Sequence, residues 1–206
     1  MSFTEAEFLQ IIADGNQDKM RVGATITLSN TYCSTYEVIG TNFNSTTGTV
    51  DIMAHTQVNK LKFDGSGKYT NSTVRTWING TYFNAFSANI RNAAKTMNVQ
   101  YYYDSYSYSV SDKVKLLSVT ELGATGTNVP TYHDGGEKYA AFTSNAWNSA
   151  NSSRWRAAGS RGDSYYWLRT GRTMSPTSNP YCVGSNGALT ADSNINTRGI
   201  LPVLRF

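Results

Sequence analysis

Between Trp147 and Arg172 the chain sets three tryptophans (Trp147, Trp155, Trp167) among five arginines (Arg154, Arg156, Arg161, Arg169, Arg172). These side chains have complementary uses. An indole face stacks on the apolar face of a sugar ring or on a partner's side chain, and a guanidinium fork holds a carboxylate or phosphate. The polar segments that follow bring Asn179, Asn194 and Asn196, whose amides offer both donor and acceptor, with Tyr181 among them. The candidate ligand-binding set is Trp147, Arg154, Trp155, Arg156, Arg172, Asn179, Tyr181, Asn194 and Asn196. Trp167 and Leu168 read as core, and Arg169 beside them reads as a structural bridge.

Nothing in the chain assembles a reaction. His55 and His133 are its two histidines. His55 follows an apparent strand and reads as a packed or hydrogen-bonded side chain, while His133 sits beside Asp134 in a glycine-rich loop. There is no G-x-S-x-G elbow, no H-E-x-x-H, no Cys/His cluster with zinc spacing and no phosphate loop. Glu121, Asp134, Glu137, Asp163 and Asp192 are available as acids, but their spacing selects no pair. Asp64-Gly65-Ser66-Gly67 resembles the opening of a calcium loop, yet no downstream Glu completes it, so it reads as a turn. Arg161-Gly162-Asp163 spells an adhesion tripeptide, a match short enough to arise by chance. The expectation is a binding protein without catalytic residues, metal or cofactor.

Composition narrows the partners. The formal net charge is +4 and the pI about 9.0. No run of five like charges occurs, which argues against a nucleic-acid tail. The Trp/Arg mixture could stack on bases, but a structured loop with surface arginines is the plainer reading. Cys33 and Cys182 are too far apart in sequence for a metal knuckle, and the sequence does not say whether they pair. The N-terminus lacks a basic region followed by an apolar core, so no secretory signal is expected and the four N-x-[ST] sequons carry no weight as glycosylation sites. No apolar stretch is long enough to span a membrane.

The elements that would position these residues are strands, two helices and long loops. Thr4-x-x-Glu7 is a capping box opening a helix over residues 4–14, which could dock on a partner or cap its own domain. Strand-like runs follow at Arg21–Leu28, Thr35–Thr41 and Thr49–Ala54, an antiparallel meander. Asn71 or Ser72 can cap a helix carrying Val74, Trp77 and Ile78 and ended by Asn79-Gly80. A second helix is expected over Phe83–Thr96, with Trp77, Phe83 and Phe86 facing the core. The tyrosine-rich residues 101–109 suit a recognition loop or a strand edge, and Lys113–Val119 reads as a strand. Residues 125–164 look loop-like, but Tyr139, Phe142, Trp147 and Trp155 argue for order. The apolar tail Ile200-Leu201-Pro202-Val203-Leu204-Arg205-Phe206 should end inside a sheet, since free termini otherwise fray. One domain accounts for the whole chain, residues 1–19 being its short helical lead.

Five segments, in order, carry a resemblance. They are Arg75-Thr76-Trp77-Ile78-Asn79, Lys113-Val114-Lys115-Leu116-Leu117-Ser118 with Glu121, Tyr166-Trp167-Leu168-Arg169-Thr170, Val183-Gly184-Ser185-Asn186-Gly187, and Gly199-Ile200-Leu201-Pro202-Val203-Leu204. Together they resemble a domain-of-unknown-function family of Firmicutes and their phages, over about residues 20–206. Thr170 and Leu201 depart from that family's usual Ser and Arg. The resemblance implies an α+β, C-type-lectin-like fold: a small twisted antiparallel sheet, two helices and long ordered loops. It further implies a phage or prophage virion protein that recognises a host cell-surface receptor or glycan, in company with other virion proteins, and it allows a homo-oligomer. Some relatives look like targets of diversity-generating retroelements, and segments 171–180 and 191–198 have the polar composition of such a display surface. The alternative is a structural virion component, a head decoration or baseplate subunit.

Overall fold

The C-terminal peptide forms an interior strand of the larger sheet, paired on both sides. In the computed structural model, which describes residues 1–63, 67–104, 106–126, 136–171 and 179–206, strands β1 (Ser2–Phe3), β2 (Thr25–Thr27), β3 (Thr35–Thr41) and β4 (Val50–Ala54) lead to a short β5 (Asn59–Lys62). A tyrosine-rich hairpin follows, β6 (Met97–Tyr103) with β7 (Tyr106–Asp112), then β8 (Val114–Leu116). Two-residue strands β9 (Ala124–Thr125) and β10 (Asn145–Ala146) pair in parallel. The chain closes through β11 (Tyr166–Gly171), β12 (Pro180–Val183), β13 (Leu189–Ala191), β14 (Thr197–Ile200) and β15 (Pro202–Arg205). One mixed sheet runs β1-β2-β3-β4-β15-β8 and a second runs β13-β12-β11-β14-β5. With the helices α1 (Glu5–Ala13), α2 (Thr73–Trp77) and α3 (Ala88–Ala93), the class is α+β.

The meander β2-β3-β4 is antiparallel, as the sequence suggests, and β15 slots between β4 and β8. Side chains alternate across a strand, so the six-stranded sheet has two unlike faces. Tyr36, Ile52 and Leu204 belong to one face, with Phe206 beyond; Tyr36 contacts Phe86 and Phe8 meets Phe206 edge-on at 5.0 Å. The helices cover that side. Thr4 and Glu7 form the reciprocal capping box, and Glu5 accepts hydrogen bonds from the Ser29 amide and the Ser87 hydroxyl. Helix α1 therefore caps its own domain.

Two helical expectations change. Ser72 does cap α2, but the chain does not stop at Asn79-Gly80; it continues as a π-helical turn over Ile78–Tyr82. That turn lets the Asn79 amide bond the edge of β8, accepting from the amides of Lys113 and Val114 and donating to the Val114 carbonyl. The second helix is only Ala88–Ala93, because Ser87 supplies a new N-cap after the Phe83–Phe86 turn. Phe86 is buried, and Trp77 and Phe83 pack against the core.

The opposite face of the sheet carries charge. Register aligns Glu37 with Met53, Met53 with Val203, and Val203 with Lys115, while Asp51 faces Arg205 two residues along. The Arg205 guanidinium grips Asp51 through Nε (2.6 Å) and Nη2 (2.7 Å), and the Tyr139 hydroxyl donates to the same carboxylate. Lys115 Nζ reaches Glu121 Oε1 at 2.6 Å, and Arg169 forks onto Glu121 at 2.5 and 2.8 Å. Arg169 also donates to the carbonyls of Gln100 and Leu116. It is the structural bridge anticipated, while Trp167 and Leu168 are fully buried. Both cysteines are buried and unpaired.

Candidate ligand-binding site

At the Glu37 end of this charged face the surface is open. A cavity of about 330 Å³ is lined by Glu37, His55, Ser153, Trp155 and Arg156. It shares His55 with a neighbouring hollow of about 360 Å³ formed by the Asn30–Thr35 turn. Trp155 is 46% exposed, one of few large apolar side chains so placed. Tyr32 continues the aromatic lining; its ring sits 5.0 Å from Trp77 and under the Arg161 guanidinium at 5.5 Å.

The loop bearing Trp155 is pinned at both ends. Asn151 receives its turn through its side-chain oxygen, which accepts from the Ser153 amide and hydroxyl. Beyond Trp155, the Gln57 amide bonds the backbone of Asp163 in both directions, and the Gln57 N–H meets the Ala157 carbonyl. Arg156 Nη1 donates to the carbonyls of Ser153 and Trp155, and Nη2 reaches Glu37 at 3.3 Å. Its plane lies over the Phe142 ring at 5.6 Å. Its Nε is buried with no hydrogen-bond partner. His55, read from sequence as a packed or hydrogen-bonded side chain, has a side chain 53% exposed, with Nδ1 3.8 Å from Glu37. This arrangement offers an indole face, an imidazole, a carboxylate and a guanidinium edge along one groove.

Of the nine candidate residues, Trp155 and Arg156 line this groove. Arg154 is a correction. It is fully buried, and its guanidinium donates to the carbonyls of Leu122 (3.1 Å), Gly123 (3.0 Å), Asn145 (2.9 Å) and Ala146 (3.4 Å). Burial pulls its pKa down, and the surrounding carbonyl dipoles take the place of water. It holds β9 against β10. Tyr181 is a second correction: it sits in the core, 2% exposed, with Trp147 edge-on to it at 6.4 Å. Trp147 is itself half-buried and has a structural place, its backbone bonded to Thr125 and Leu189.

Asn194 and Asn196 occupy the turn between β13 and β14, away from the groove lining. There Asp192 accepts from Asn196 (2.8 Å) and from Arg198 Nε (2.6 Å). Asn179 is half-buried beside β12. Arg172, His133 and Asp134, and the turn expected at Asp64–Ser66, lie outside the described residues. The Arg161-Gly162-Asp163 tripeptide is not a free adhesion loop, because the Asp163 carboxylate pairs with Arg198 at 2.9 Å. Among the described residues no group of three or more His, Cys, Asp or Glu side chains could hold a metal ion.

The sequence reading missed Glu37, His55 and Tyr32 as groove walls, since nothing in their local pattern announces an open edge. It named Glu121 as an available acid and beside the Lys113–Ser118 segment of the resemblance, not as the buried partner of Lys115 and Arg169. A signal was present there: Ser118-x-x-Glu121 has capping-box spacing, and the Ser118 amide does bond Glu121 while the Glu121 amide bonds the Ser118 hydroxyl.

Residues 43–205 match a family described as a domain of unknown function (DUF6273), and the chain belongs to that family. No curated protein and no solved structure matches it.

Proposed function

We propose that this DUF6273 protein is a lectin-like binding protein whose groove around Trp155 takes a cell-surface ligand, a glycan or a protein loop. In the setting that the sequence resemblance suggests, it is a phage or prophage virion protein contacting its host, and its fold is a variant of the C-type-lectin plan. The observation that carries the reading is the exposed Trp155 indole, held at a groove by a loop fastened at both ends. A large aromatic side chain on a fixed support loses little entropy on binding and gives much contact area. The charged rim of Glu37 and Arg156 supplies direction to an otherwise apolar contact.

The test is adhesion of the purified protein to host cells and to isolated envelope glycans, compared with Trp155→Ala. Saturable adhesion that Trp155→Ala abolishes, with an unchanged melting curve, supports the reading. A protein that ignores cells and glycans but rebinds stripped particles is a decoration subunit, and the groove assignment fails.

A further inference from the structure

The groove beside Trp155 continues past His55. The hollow of about 360 Å³ on the far side is lined by the turn from Asn30 to Thr35, with His55 and Thr56 closing it. Its chemistry differs from that of the Trp155 side. Thr31, Ser34, Thr35 and Thr56 bring their hydroxyls to one small space, and none of these hydroxyls is engaged in a hydrogen bond with another described residue. Each can both donate and accept.

The turn that presents them is fixed. The Asn30 side-chain oxygen accepts from the Tyr32 amide at 2.9 Å. The Leu28 amide bonds the Ser34 carbonyl and the His55 amide bonds the Thr35 carbonyl, each at 2.9 Å. The Tyr32 ring stands edge-on to Trp77. These hydroxyls are therefore in place before a ligand arrives, and little ordering entropy is left to lose on binding.

The Trp155 side alone suits a glycan or a protein loop, and the second hollow separates the two. An extended peptide is commonly bound by adding a strand to an open sheet edge. Strand β3, which carries Thr35 and Glu37, is already paired with β2 on one side and β4 on the other. A sugar chain needs no edge: its C–H faces meet an indole and its hydroxyls meet hydroxyls. Glu37 and Arg156 answer each other at 3.3 Å, so neither lining presents an unpaired fixed charge. Two small-molecule-sized hollows on either side of one residue suit a chain better than a single ring.

We propose that the two hollows form one site for a linear oligosaccharide of β-linked, gluco-configured sugars, which runs from Trp155 across His55 into the Asn30–Thr35 turn. Equatorial substituents keep the faces of such rings flat and apolar for the indole and set their hydroxyls around the edge. This inference rests on the Trp155 groove being a ligand site and narrows its ligand to a glycan.

Calorimetric titration with cellotetraose tests it, with cellobiose and the coiled, α-linked maltotetraose as comparators. The expected result is saturable one-site binding of cellotetraose, tighter than either comparator by about tenfold or more. Ser34→Leu fills the second hollow from an exposed position and should bring cellotetraose down to the level of cellobiose while the melting curve holds. Thr31→Leu, also at an exposed position, decides if that variant fails to fold. Trp155→Ala should weaken cellotetraose as well. No saturable binding of cellotetraose, equal binding of either comparator, or a full chain-length gain in a folded Ser34→Leu or Thr31→Leu variant would each overturn the proposal. Cell adhesion separates the two failures: adhesion that still depends on Trp155 keeps the groove when the oligosaccharide does not bind, and adhesion indifferent to Trp155→Ala brings down the groove itself.

Discussion

Lys115 and Glu37 stand on the same face of one sheet, in register across β8, β15, β4 and β3, yet their ends of that face are built in opposite ways. At the Lys115 end every charge is buried and anchored to another: Lys115 and Arg169 on Glu121, Arg205 on Asp51. At the Glu37 end the contacts are looser: Arg156 Nη2 lies 3.3 Å and His55 Nδ1 3.8 Å from the Glu37 carboxylate, and an indole stands out into solvent beside them. Between them, Tyr139 is stacked on Phe43 at 3.7 Å and hydrogen-bonded to Asp51, while the Ala141 amide bonds Ile39. The same strands thus carry a rigid charged floor and an adaptable rim. Low dielectric makes the floor's interactions strong and the loss of any one partner severe; solvent makes the rim's interactions weak and replaceable.

The largest effect is expected from breaking the floor. Glu121→Ala leaves Lys115 and Arg169 buried without their carboxylate and should cost about 3–5 kcal/mol in a urea denaturation series. A loss below about 1 kcal/mol would mean that the two cations find water or new partners, and the contrast between the two ends would collapse. The same carboxylate sets the acid limit. Burial alone would raise the Glu121 pKa, but Arg169 and Lys115 outweigh it and bring it from 4.5 down to about 2. Because the folded pKa is the lower one, its contribution is full above the unfolded value and is lost as the pH falls towards the folded value. The stability gap between wild type and Glu121→Gln should therefore be widest near neutral pH and close below the unfolded pKa. A gap that stays constant with pH contradicts the assignment.

Arg154 comes next. It has no carboxylate, only four carbonyls, so Arg154→Met removes their donors without stranding an opposite charge. About 2–3 kcal/mol is expected, read by the same denaturation series, with hydrogen exchange accelerating first at the β9–β10 pairing. If the loss is negligible, water reaches those carbonyls and Arg154 is not what holds that loop.

Arg154 also marks the limit of what the sequence disclosed. Local signals were legible because their partners are near in sequence: the Thr4–Glu7 box, the Ser72 cap, the apolar tail of β15 and the core placement of Trp167 and Leu168. The second helix came out short because Ser87, a capping residue inside an otherwise helical pattern, competes with continuation. Whether an arginine faces water or the interior is a different matter. Arg154 and Arg156 flank one tryptophan, and only the distant carbonyls of Leu122 and Gly123 decide that the first turns inward. Arg169 was recognisable as a bridge from its apolar neighbours, but its partner lies 48 positions away. The groove walls were equally hidden, since Glu37 and Trp155 meet only through the fold.

The smallest effects on stability fall at the rim, and they sharpen the comparison most. Arg156→Ala should cost about 1 kcal/mol or less, since Glu37 remains partly solvated and can turn to water. Trp155→Ala should change stability by no more than about 0.5 kcal/mol, because an indole that is 46% exposed contributes little to the core. Both should nonetheless reduce adhesion to the ligand surface, Trp155→Ala the more, whereas Glu121→Ala should act on adhesion only as far as it unfolds the protein. Comparing thermal melts and adhesion for the three variants separates the two ends directly. If Trp155→Ala melts several degrees early, its ring is part of the core after all, and the rim has to be redrawn around His55 and Tyr32.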